Sequence, residues 1–185
     1  METSYFNVLE TPAFRLFKAR VSWLLIGLFG GIIAAQVMGF FENVLKEEIL
    51  LAFFVPVIVY MSDAVATQTQ TLFIRGIAIQ NSHISISKYF KKEIIIGFFL
   101  ALFLGTVLGL FARFWWGSQR MSYILFFSMF FGIIISVSIG VLIPWLLKKA
   151  GQDPAVGSGP FATIIIDIIF IAVYFLIATA LIQVF

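Results

Sequence analysis

A chain of 185 residues that is 62% hydrophobic, only 11% charged and has a mean hydropathy of +1.08 carries more apolar surface than one water-soluble core of that size can hide. Its net charge of +3 comes from basic residues gathered at the ends of apolar runs, where they would meet lipid headgroups, so the partner expected is a bilayer and not a nucleic acid. With no cysteine, disulfides, thiolate metal sites and thiol nucleophiles are excluded as well.

The expected fold class is an all-α membrane protein: five transmembrane helices preceded by a short amphipathic N-terminal helix. That first element occupies residues 1–20. Thr11 followed by Pro12 reads as an N-cap with proline at the first helical position. Phe14, Phe17 and Val21 then recur at helical spacing, with Arg15 and Lys18 off the stripe. A short helix resting in the cytoplasmic interface and then turning into the membrane is predicted. The apolar run that follows is longer than a cleavable leader needs, which predicts a retained span.

Residues 21–185 form the membrane domain. Runs at 21–41, 49–79, 94–116, 122–147 and 161–185 each reach roughly the 20 residues that cross a hydrocarbon core. The second is irregular. Pro56 removes a backbone donor, and the stretch from Met61 to Thr71 is too polar for lipid contact, so this span is predicted to bend and to face protein or water. Small residues recur four apart: Gly27 and Gly31; Ala101, Gly105 and Gly109; Gly132, Ser136 and Gly140. Such ridges let helices approach closely in lipid. His83, the only histidine, falls in a polar loop beside Ser82, Ser85 and Ser87.

Orientation follows from the flanking charges. With a cytoplasmic N-terminus, nine basic residues fall on the inner side and three on the outer, the bias expected of short cytoplasmic loops. Five spans then leave the C-terminus outside, in a plasma (inner) membrane protein.

Chemistry has to come from polar groups at membrane depth. Asp167 interrupts the last apolar run, and a carboxylate in hydrocarbon costs roughly 2.5–3.5 kcal/mol even on lenient scales. Thr163 and Gly159 stand one and two turns before it on the same helix face. On the second span, Ser62, Asp63, Thr67, Gln68, Thr69, Gln70 and Thr71 form an oxygen-rich cluster, and Ser62, Ala64, Thr67, Gln68 and Thr71 are expected to line a pore. Carboxylate, hydroxyl and carbonyl oxygens without thiolate or clustered imidazole suit hard cations, Mg²⁺, Ca²⁺ or Mn²⁺. Mg²⁺ dehydrates reluctantly, so one or two carboxylates and waters are enough to hold it. The structural alternatives are a buried Asp167–Arg75 ion pair, Asp63 as N-cap of a helix restarting at Ala64, and hydroxyls of Thr67 and Thr71 bonded back to their own helix.

The run at 54–78, with Met61-Ser62-Asp63-Ala64-Val65-Ala66-Thr67-Gln68 at its centre, resembles the second membrane helix of the MgtE magnesium channel family. Asp153-Pro154-Ala155, Ser158-Gly159-Pro160-Phe161, then Thr163, Asp167 and Tyr174, resemble the signature of that family's last helix. The resemblance covers about residues 21–185. It implies a homodimer with a central pore lined by the second and fifth spans, passing Mg²⁺, with Mn²⁺, Co²⁺ or Ca²⁺ as possible competitors. It implies that Asp167 is the principal ligand and that Thr163 and Gly159 are its neighbours at the pore. The sequence departs from the family pattern where Ala64 replaces an asparagine and Asp63 adds a carboxylate. A cytosolic sensor with paired CBS domains precedes the membrane domain in full-length family members. None is expected in this chain, whose N-terminal helix resembles the family's plug helix, and a separate regulatory partner would have to replace the sensor.

Rival classes are a proton- or sodium-coupled divalent cation carrier, an intramembrane enzyme and a non-transporting subunit. The enzyme reading is disfavoured because no nucleophile motif or intramembrane histidine accompanies the aspartates.

Overall fold

Six α-helices make up the computed structural model, which describes residues 12–79, 85–151 and 154–184. They are α1 (Ala13–Phe40), α2 (Glu42–Glu47), α3 (Leu50–Ile79), α4 (Ile86–Trp116), α5 (Gln119–Lys149) and α6 (Pro154–Ile182). The Thr11 cap, His83 and Asp153 lie outside the described residues. Four of these helices contain stretches long and apolar enough to cross a membrane: α3, α4, α5 and the Ala162–Ile182 part of α6. In α1 the described apolar stretch, Leu24–Phe40, is shorter.

One expected interruption does not occur. The N-terminal helix does not turn before the first span: α1 runs unbroken from Ala13 to Phe40, with Pro12 itself in the cap position. Nothing between Phe14 and Leu25 breaks a helix, because that segment contains no proline or glycine. The alternative of a helix restarting at Ala64 is not realised, since α3 is a single helix through Pro56. That proline lies in the second turn, so it removes one backbone hydrogen bond near the helix end. Nearby, the Tyr174 hydroxyl on α6 donates to the Leu51 carbonyl at 2.9 Å, tying the start of α3 to its neighbour.

Helix α5 is the centre of the bundle and packs against α4, α3 and α6, while α6 also holds α1 and α3. Its buried side chains run along its length, from Met121 through Leu125, Met129, Ile133 and Val137 to Val141. Small residues bring the backbones together as the ridges predict. Gly105 and Gly109 of α4 sit against the Phe126 and Ser122 carbonyls of α5. The Phe170 ring of α6 lies directly over Gly132, and Gly140 abuts the Ala66 carbonyl and the Thr69 side chain of α3. The α1 ridge behaves differently. It is Gly30 that meets Ile164 of α6, whereas Gly27 and Gly31 have open space where a Cβ would be.

The α4–α5 hairpin turns at Gly117, whose φ of 66° places it in the left-handed region that glycine enters without a Cβ clash. Ser118 then caps α5, accepting the Met121 amide at 3.2 Å.

Candidate functional site

The polar run of α3 divides into two faces because successive residues turn by about 100° around the helix. Ser62, Val65, Ala66, Thr69, Gln70 and Phe73 are buried inside the protomer. Thr67, Gln68 and Thr71 are exposed on its outer surface, and Asp63 and Ala64 are half-buried at the border. The Ser62 hydroxyl is fully buried and donates to the Ile58 carbonyl at 2.9 Å. Ser62, expected on the pore lining, therefore turns away from the open face. Asp63 lies inside a continuous helix and caps nothing.

On α6 the small and polar positions Gly159 and Thr163 are exposed, and Asp167, one turn further along the same face, is half-buried. One Asp167 carboxylate oxygen, Oδ1, is shielded and has no hydrogen-bond partner among the described residues. The pairing with Arg75 is not formed: Arg75 is exposed, and the ion pair seen among the described residues joins Lys46 to Glu42 within α2. Asp167, Thr163 and Ile164 open onto a cleft of ≈ 590 Å³ whose other wall is Leu24, Gly27, Leu28 and Gly31 of α1. The open space beside Gly27 and Gly31 is thus the floor of the Asp167 cleft.

The Asp63 carboxylate is close enough for its charge to act on Asp167. The structure therefore brings the two acids of α3 and α6 into one neighbourhood, flanked by exposed hydroxyls and an exposed glycine backbone. Among the described residues no group of three or more His, Asp or Glu side chains converges. The neighbourhood thus holds two carboxylates and not a closed cage. Like charges repel strongly where water is scarce, and a divalent cation or a shared proton relieves the repulsion.

One buried carboxylate was not singled out in the sequence. Glu93 on α4 is 6% exposed, and its Oε2 lies 3.4 Å from the Thr69 hydroxyl, which donates to it. The signal was present. Glu93, Gly97, Ala101, Gly105 and Gly109 are spaced four apart, so the small-residue ridge extended back by one turn leads to the glutamate.

Comparison with known proteins completes the picture. Residues 55–177 match the MgtE family, described as a divalent cation transporter. The chain is 32% identical over 178 residues to the magnesium transporter MgtE of Bacillus subtilis, covering 94% of this chain and 39% of that protein. The corresponding protein of Thermus thermophilus is 29% identical, with 94% of this chain and 39% of the relative covered. That of Enterococcus faecalis is 28% identical, with 97% and 40% covered. The chain thus spans about two fifths of the length of these relatives. The match runs from the first turns of α3 almost to the end of α6 and takes in both acid-bearing helices, and on that basis the chain belongs to the MgtE family.

Proposed function

We propose that this chain carries divalent cations, chiefly Mg²⁺, across a membrane through a pore at a homodimer interface, with the hydrated ion held by Asp167 and Asp63. The observation that carries this reading is the outer face of the protomer, where Thr67, Gln68 and Thr71 of α3 and Gly159 and Thr163 of α6 are exposed. Hydroxyl and amide groups facing hydrocarbon without partners are costly. Thr67 and Thr71 make no side-chain hydrogen bond among the described residues. A second copy enclosing water against this face removes the cost, and a twofold axis there presents each aspartate twice. The relatives are named magnesium transporters, and Mg²⁺ is the divalent ion best held through few carboxylates and retained waters. No bond is made or broken in this activity, so the protein is a transporter and not an enzyme.

The test is Mg²⁺ flux into proteoliposomes, wild type against Asp167→Asn, with and without a pH or sodium gradient. Gradient-independent flux that the substitution abolishes is the expected result. Flux that follows either gradient would instead make the protein a coupled carrier, with the Asp63–Asp167 pair as the place where a proton or sodium ion exchanges for the divalent ion. Flux unaffected by Asp167→Asn would remove the assigned site.

A further inference from the structure

We infer that Glu93 is a positioning residue for ion passage: through Thr69 it fixes the rotation of α3 about its axis and so decides which side chains the helix presents at the open face. The inference rests on the transport reading above. Three observations lead to it.

Thr69 stands on the back of the pore-facing surface. At about 100° per residue, Thr69 lies some 160–200° around the helix from Thr67 and Thr71, so a restraint on Thr69 acts on those hydroxyls with the full width of the helix as its arm. Glu93 is also buried, with no basic side chain paired to it among the described residues. Its carboxylate accepts from the Thr69 hydroxyl of α3, and Tyr89 stands one turn earlier on α4. A carboxylate in such a place is costly unless its partners are kept, so the pairing resists rotation in either direction. Finally, little else joins these two helices. α4 packs backbone to backbone on α5, and α3 packs on α5 and α6; α3 and α4 meet through side chains. Phe73 meets Tyr89 with ring centroids 5.0 Å apart, Thr69 meets Glu93, and Phe54 meets Trp116 at the other end.

On the far side of Thr69 the contact is steric. Gly140 of α5 approaches so closely that an added Cβ would lie 3.1 Å from the Thr69 Cβ and 2.9 Å from the Ala66 carbonyl. α3 is therefore seated against α5 by shape and oriented by the Glu93 hydrogen bond. Shape alone leaves a rotational freedom that a directional bond removes.

The experiment uses the full chain in proteoliposomes and reads both Mg²⁺ half-saturation and the ratio of Mn²⁺ to Mg²⁺ flux. Thr69→Val keeps the volume and deletes the hydroxyl, and Thr69→Ser keeps the hydroxyl. The expected result for Thr69→Val is a change of about threefold or more in half-saturation or flux ratio, the scale set by losing one ordinary hydrogen bond. Thr69→Ser should restore the wild-type values. Glu93→Leu combined with Thr69→Val should be no worse than Glu93→Leu alone. Wild-type selectivity and half-saturation in a folded Thr69→Val protein overturn the proposal, as does strict additivity in the double variant. If Glu93→Leu does not fold, the Thr69 pair decides by itself. If Asp167→Asn abolishes flux while Thr69→Val is silent, this inference fails and the transport reading stands; if Asp167→Asn is silent, the transport reading fails first.

Discussion

Single residues in this bundle differ sharply in what they tolerate, and the difference follows from what each faces. The Tyr174 hydroxyl bonds a buried main-chain carbonyl of α3, so Tyr174→Phe should lower stability by about 1 kcal/mol, read as an earlier midpoint in thermal unfolding in detergent. Gly132 lies under the Phe170 ring. Gly132→Ala forces that ring aside and should cost about 1–3 kcal/mol, as overpacking does. The glycines of α1 give the opposite case. Gly31→Ala meets open space, whereas Gly30→Ala meets Ile164, so only the second should lower the unfolding midpoint. Asp167 was legible in the sequence at this scale because a lone carboxylate in an apolar run is conspicuous. Glu93 was not, because Lys91 and Lys92 beside it placed it among the charges flanking the span, and only the depth of α4 shows it to be inside.

At the scale of elements, composition and hydrophobic runs indicated most of the helices, because in lipid a spanning chain has few other ways to satisfy its backbone. Their boundaries and breaks were less legible. Helix α4 begins at Ile86, two turns before the apolar run it carries, because polar and basic residues continue a helix as readily as apolar ones. The expected turn after residue 20 came from reading the amphipathic first stretch as an element of its own. Polarity decides which way a residue faces, and only glycine, proline or a competing hydrogen bond decides whether the helix continues. The polar run of α3 shows this: it remains helical because its oxygens are sorted between an inner and an outer face. Short α2, between the first two long helices, was missed because six residues give too little periodicity to recognise. Exchanging the two faces tests the sorting. Thr67→Val with Thr71→Val should leave the protomer folded and reduce Mg²⁺ flux, while Thr69→Leu, placed against Gly140 and Glu93, should reduce the yield of folded protein.

For the whole molecule, the question is what covers the outer face. The chain has no cysteine of its own, so single cysteines report contacts between copies without interference. Thr71→Cys should yield a disulfide-linked dimer under mild oxidation. Phe99→Cys, exposed on α4, should remain monomeric on a denaturing gel. The reverse pattern would move the twofold contact to α4 and α5 and leave Asp167 facing lipid. The unbroken course of α1 has a mechanical consequence. From Ala13 to Gly27 an α-helix measures about 21 Å, and over that distance it behaves as a stiff rod joining the exposed Phe14 and Phe17 to the wall opposite Asp167. Gly30, wedged on Ile164, is its fulcrum. Any force that tilts the outlying aromatic end must therefore swing the glycine-lined wall as well, so that the width of the Asp167 cleft is geared to whatever grips the first turns of α1.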